Sequence, residues 1–144
     1  MARALERARE ARERGEVPVG AVVVREGKVL AEAHNRTVEW SDPTAHAEVV
    51  ALRKAGRRLG DWRLGGATLY VTLEPCAQCA GAAVLARIDR LVYAASDPKS
   101  GMAGSLGNLL QDPRLNHFVE LTSGVLAEPS SRLLREFFRE RRGR

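Results

Sequence analysis

The sequence predicts an α/β fold built on a mixed sheet of about five strands, and three observations carry that prediction. Runs rich in Val, Leu and Ala alternate with segments of helical periodicity. The first two runs flank a tight-turn dipeptide and so form an antiparallel hairpin, whereas the later ones are separated by helices, which implies parallel pairing. At 144 residues, 44% of them hydrophobic and without an internal repeat, the chain suits one domain, 1–144, around one core.

In chain order, Ala4, Leu5, Ala8 and Ala11 recur at helical spacing among charges, with Gly15 as a stop, so 2–14 is an amphipathic helix. The stretches 17–25 and 28–33 are strands joined at Glu26-Gly27, a good two-residue hairpin turn. Asp42-Pro43-Thr44 supplies a capping residue and a proline suited to a first helical position, followed by Ala45, Val49 and Leu52 on one face. His46 then lies in or near the first turn of a helix that ends around Gly56 or Gly60. A buried strand at 67–72 leads into a helix from Glu74-Pro75 to about Arg87, and 90–95 is a further strand. From 96 to 116 Gly, Ser, Pro and Asn break the pattern around a short apolar turn at 106–110, which reads as a functional loop. A last strand falls at 118–121, and Pro129-Ser130-Ser131 opens a terminal helix striped by Leu133, Leu134, Phe137 and Phe138.

The net charge of +5 comes mostly from Arg crowded at the two ends of the chain, which suggests a polyanionic partner. Glu interleaved with that Arg fits a solvated helix face equally well. No apolar run approaches a membrane span, and the Arg- and Glu-rich start has no secretory hydrophobic region, so no membrane contact and a cytoplasmic location are expected. Only two cysteines are present, too few for a disulfide framework, and a reducing compartment fits.

Those two cysteines carry the chemistry. Cys76 and Cys79 stand i and i+3 after Pro75, so their sulfurs point the same way, and a helix N-terminus favours their thiolates. If the strands preceding the two central helices end on the same sheet edge, the helix starts converge and His46 becomes a third ligand. Three protein ligands leave a tetrahedral Zn2+ one open position, the arrangement of a catalytic site. Glu48 is then the candidate base, able to take a proton from water and pass it on, although residues i and i+2 do not share a helix face and Glu48 must reach across. A Cys-x-x-Cys pair alone also fits a thiol redox couple or half of a structural zinc knuckle; a four-cysteine site is excluded. His34 and His117 read as surface or hydrogen-bonding histidines, and Glu74 as a favourable charge at a helix N-terminus.

The pair His-x-Glu and Pro-Cys-x-x-Cys resembles the zinc nucleobase deaminases. The likeness extends through Val17-Pro18-Val19-Gly20-Ala21, His34-Asn35-Arg36, 42–48, 72–82, Asp97-Pro98-Lys99-Ser100-Gly101, Asn116-His117 and Phe137-Phe138-Arg139, and it is similar to the bacterial tRNA-specific adenosine deaminase family. That resemblance implies a cytidine deaminase-like three-layer α/β/α fold, a homodimer, one Zn2+ per subunit on His46, Cys76 and Cys79, and Glu48 as proton shuttle. It also implies conversion of adenosine to inosine at the wobble position, with a tRNA anticodon stem-loop as partner. Asn35 and Ala47 would contact the flipped nucleoside, Asp97, Lys99 and Ser100 the neighbouring nucleotides, and Phe137, Phe138 and Arg139 the anticodon loop. From the residues alone, Asn35 could cap a turn, Asp97-Pro98 is an ordinary turn pair, and the helical stripe makes at least one phenylalanine core. Gln78 and Ser96 depart from the family's more frequent Met and Arg. The zinc motif alone also serves deaminases of a free base or nucleoside, of guanine or cytidine type. A non-catalytic RNA-binding module with structural zinc is the rival from another class, and it leaves Glu48 without a purpose.

Overall fold

The computed structural model describes residues 1–143. Its elements are α1 (Ala2–Glu13), β1 (Gly20–Arg25), β2 (Lys28–His34), α2 (Ala47–Leu59), β3 (Ala67–Leu73), α3 (Ala77–Leu85), β4 (Arg90–Ala95), β5 (Glu120–Thr122) and α4 (Ala127–Arg142). The sheet order is β2-β1-β3-β4-β5, with β1 antiparallel to both neighbours and β3, β4 and β5 mutually parallel. It is the mixed five-stranded sheet expected, sandwiched as α/β/α. Because β2 and β3 both run opposite to β1, their carboxyl ends emerge on the same edge, and β4 adds a third.

Side-chain alternation sorts the two faces. Ala21, Val23, Leu69, Val71, Leu91 and Tyr93 lie in register and pack with Val50, Ala51, Ala80 and Ala83 beneath α2 and α3. The opposite face, with Val22, Val92 and Ala94 buried, is covered by α1 and α4. The buried side of α1 is Ala4, Leu5, Ala8 and Ala11, small enough for the helix backbone to lie almost on the sheet. Gly20 marks the closest approach: a Cβ there would stand 1.9 Å from the Ala4 carbonyl oxygen and 2.7 Å from the Ala8 nitrogen. Backbone cannot yield as a side chain can, so Gly20→Ala is expected to cost about 1–3 kcal/mol of stability, read from urea unfolding midpoints.

Several boundaries differ from those the pattern suggests, each for a local reason. β1 starts at Gly20 rather than at residue 17: Val17-Pro18-Val19 lies outside the sheet pairing, and Val17 and Val19 wall the pocket described below. The turn takes positive φ at Glu26 (52°) and Gly27 (75°), the mirror-image geometry that suits a twisted hairpin. Gly60, at φ 70°, ends α2 in a left-handed cap. α4 begins at Ala127, so Pro129 falls in its first turn, where its missing N–H is not needed. Ser130 then donates to the Thr72 carbonyl at 2.5 Å and fastens α4 to β3. The 96–116 stretch is irregular apart from an Ala103–Asn108 bridge, and Leu110 within it is fully buried. β5 is short and lies at 120–122.

Candidate active site

Two helices start side by side at the carboxyl edge of β2 and β3, and each offers a candidate ligand from its N-cap. His46 caps α2 (φ −73°, ψ 150°) and Cys76 caps α3 (φ −75°, ψ 179°), both in extended backbone and neither spending its side chain on a capping hydrogen bond. The first turn of each helix brings a second group: Glu48 on α2 and Cys79 on α3. This settles the i, i+2 difficulty. Helical face rules do not apply to His46, and His46 and Glu48 line the same pocket.

His46 Nδ1 stands 3.5 Å from Cys76 Sγ and 3.4 Å from Cys79 Sγ, and the ligand atoms of all three lie within 4.8 Å of one another. Tetrahedral coordination with metal–sulfur near 2.3 Å and metal–nitrogen near 2.0 Å requires nitrogen and sulfur to be about 3.5 Å apart. The donor set therefore fits a tetrahedral divalent cation with one position left over. Without a cation the two sulfurs share one proton: hydrogen bonds from Cys79 and His46 hold the Cys76 thiol down, to about 3, while the bond to Cys76 and burial raise Cys79, a proton that metal binding would have to displace. His46 is raised in turn, chiefly by its bond to Cys76. Glu48 is buried, and burial pushes its carboxyl up to about 7.

The pocket over these groups has a volume of about 260 Å³, and its walls include Val17, Asn35, Thr37, Leu73, Asp97 and Ser100. Asn35 holds the rear: its Oδ1 accepts the Ala47 N–H at 2.8 Å and its Nδ2 donates to the Val17 carbonyl at 3.2 Å. Ala47 itself is fully buried, so only its backbone takes part. Asp97 Oδ1 accepts the N–H groups of Lys99 (3.0 Å) and Ser100 (3.3 Å) in a tight turn. Val17, Leu73, Asp97 and Ser100 are also shared with a wider groove of about 860 Å³ that runs past Lys99 to Phe138 and Arg139.

A family profile, that of the MafB19-like deaminases, matches residues 1–142. The chain belongs to this deaminase family. Among its relatives, the tRNA-specific adenosine deaminase of Bacillus subtilis is 51% identical over 142 residues, covering 99% of this chain and 88% of the relative. The enzyme of the same name from Haemophilus influenzae is 50% identical over 140 residues, covering 96% and 81%. A solved structure from work on A-to-I editing by tRNA:A34 deaminases superposes with a TM-score of 0.90 at 48% identity, covering 93% of this chain and 97% of the other. A guanine deaminase from Nitrosomonas europaea superposes at 0.82 with 26% identity, covering 94% and 81%.

The two phenylalanines of this deaminase separate. Phe137 is 5% exposed, packed edge-on against Phe138 at 5.3 Å with Arg141 above it at 4.8 Å, so it belongs to the core and its expected place on an RNA surface is corrected. Phe138, 44% exposed, is the one facing the groove. Phe137→Ala is accordingly expected to lose about 3–5 kcal/mol of stability, and Phe138→Ala under about 1 kcal/mol, compared by thermal and urea unfolding.

Two buried carboxylates escaped the sequence reading. Glu74 is no simple helix charge: it accepts the N–H groups of Asp97 (2.9 Å), Ala103 (3.0 Å) and Ser105 (3.0 Å) and the Ser105 hydroxyl (2.5 Å). Burial alone would raise its carboxyl, but the bonds from Ser105 and the three amides hold it below its ordinary value. Glu16 braces the 37–39 segment, accepting from Val38 N (3.0 Å) and Glu39 N (2.8 Å). Among the remaining expectations, His34 is buried and donates to the Asn35 carbonyl (2.7 Å), and His117 donates to the Ile88 carbonyl (2.7 Å). Gln78, the departure between the cysteines, donates to the Thr44 carbonyl at 3.1 Å and ties the start of α3 to the approach of α2.

The basic ends also divide. Arginines of α1 are drawn into internal pairs, Arg12 with Glu136 and Glu140 of α4 and Arg3 with Glu32. Lys99 and Arg139, both on the groove, have no carboxylate within salt-bridge distance among the described residues. No helix among those residues is long and apolar enough to cross a membrane.

Proposed function

We propose that the protein hydrolyses adenosine to inosine at the wobble position of a tRNA anticodon, holding Zn2+ on His46, Cys76 and Cys79 and moving protons with Glu48. The observation that carries this reading is the convergence of the two helix starts: three ligand atoms at tetrahedral spacing, with a buried carboxyl in the same pocket. Zinc supplies the Lewis acidity that makes water nucleophilic at neutral pH. The chain's own residues do the rest. Glu48 takes a proton from the attacking water, delivers it to N1 of the purine, and then carries the second proton to the leaving amine, so that adenosine and water become inosine and ammonia. Asn35 fixes the mouth of α2 through Ala47 and retains one amide hydrogen for a purine acceptor.

The substrate class follows from the groove beside the pocket. Lys99, Arg139 and the exposed ring of Phe138 offer cations for phosphates and a face for an unpaired base. An anticodon loop already displays its bases, so extruding one into a small pocket costs little. We also assign the whole chain to one deaminase domain acting in the cytoplasm as a homodimer. The test is incubation of the zinc-loaded protein with an anticodon stem-loop carrying adenosine at the wobble position, followed by nucleoside analysis. Inosine at that position, with KM rising steeply with salt, supports the reading; turnover of free guanine or cytidine with a salt-insensitive KM sinks it. Binding without turnover would instead favour the non-catalytic RNA module.

A further inference from the structure

We propose that Glu74 is a positioning residue that fixes the 97–105 loop, the shared wall of pocket and groove, in the shape that receives the RNA strand; this rests on the RNA-substrate reading above. Glu74 is 2% exposed and has no cationic partner within salt-bridge distance among the described residues. A carboxylate buried without a countercharge is costly unless hydrogen bonds satisfy it, and here every one of its four comes from the single loop. The loop is moulded around it: a Cβ at Gly101 would lie 2.3 Å from the Glu74 carboxyl carbon. The Asp97 carbonyl accepts the Gly101 N–H (2.9 Å), and the Pro75 carbonyl accepts the Met102 N–H (2.8 Å), closing the turn over the carboxylate.

What this accomplishes is preorganisation. The loop has almost no secondary structure, yet it presents Asp97 and Ser100 to the pocket and Lys99 to the groove. An unbraced loop would have to be ordered by the RNA itself, at the expense of affinity. A carboxylate is the residue type the task needs, since its two oxygens accept four donors at once, whereas a glutamine would turn its own N–H groups toward two of them. Glu48 stands on α2, outside the loop, and none of the four bonds to the Glu74 carboxylate involves His46, Cys76 or Cys79, so the brace acts on binding and not on the chemical step.

The test compares Glu74→Gln with Gly101→Ala, which displaces the loop from the carboxylate without changing charge. Both are expected to raise KM for the anticodon stem-loop about tenfold while kcat stays within about twofold. Zinc content should remain that of the wild type. Amide hydrogen exchange, measured without RNA, should accelerate at Asp97, Ala103 and Ser105 and stay unchanged in α2 and β3. Unchanged exchange in the loop, or a fall in kcat with zinc loss at constant KM, overturns the proposal and moves the role of Glu74 to the neighbouring Cys76. If Glu74→Gln does not accumulate as folded protein, Ser105→Ala, which deletes only the hydroxyl bond, takes its place with the same exchange readout. Wild-type turnover of the stem-loop judges the substrate reading separately, since the exchange measurements need no RNA.

Discussion

A Glu48→Gln enzyme should keep its zinc and its affinity for the anticodon stem-loop yet turn over about 10³-fold more slowly than the wild type. Glutamine preserves the shape of the side chain, so packing at this fully enclosed position of α2 is undisturbed and the loss reports proton transfer alone. The magnitude follows from what Glu48 has to do. It must accept a proton and release it within one cycle, and burial raises its carboxyl above the ordinary carboxylate range, which strengthens it as a base for the first of these steps. A cation held by His46, Cys76 and Cys79 would oppose that rise and favour the ionised form that accepts the first proton. Inosine release, metal content and RNA affinity measured on the same preparation decide the matter. A variant with kcat within tenfold of wild type would remove Glu48 from the mechanism, and one that loses zinc would make it a ligand instead.

The parts of this site legible in the sequence are those whose spacing is short and whose chemistry is rare. His46 with Glu48, and Cys76 with Cys79, each announce themselves within four residues. Their convergence required one topological condition, parallel carboxyl ends of β2 and β3, which the hairpin at Glu26-Gly27 and the β3 crossover meet. Glu16 and Glu74 were not legible because their partners, apart from one hydroxyl each, are backbone N–H groups 22 to 31 residues away, which leave no side-chain signature. The start of β1 is not marked in the sequence, because Val17-Pro18-Val19 has the same apolar character as the strand it precedes, and pairing alone distinguishes them. Phe137 and Phe138 both sit on the edge of the α4 stripe. Only the docking of that helix through Ser130 onto β3, and of α1 through Arg12 onto α4, turns Phe137 inward.

The Cys79→Ala variant should lose both activity and metal, with zinc falling from about one per chain to below about a tenth. Cys79 is fully buried at 3.4 Å from His46 Nδ1, and without it two ligands remain on two different helices. Zinc held by His46, Cys76 and Cys79 would join those helix starts, so its binding free energy would add to the stability of the folded chain as RT ln(1 + [L]/Kd). A chelator should therefore lower the melting temperature of the wild type and leave that of Cys79→Ala where it already is. The comparison separates metal loss from the smaller packing defect of a deleted sulfur, expected at about 1–2 kcal/mol, because only the first responds to chelation. It also decides against the other use of a Cys-x-x-Cys pair. A thiol redox couple would give a wild type whose stability ignores chelators and follows oxidants, with His46 and the buried Glu48 left beside it to no purpose.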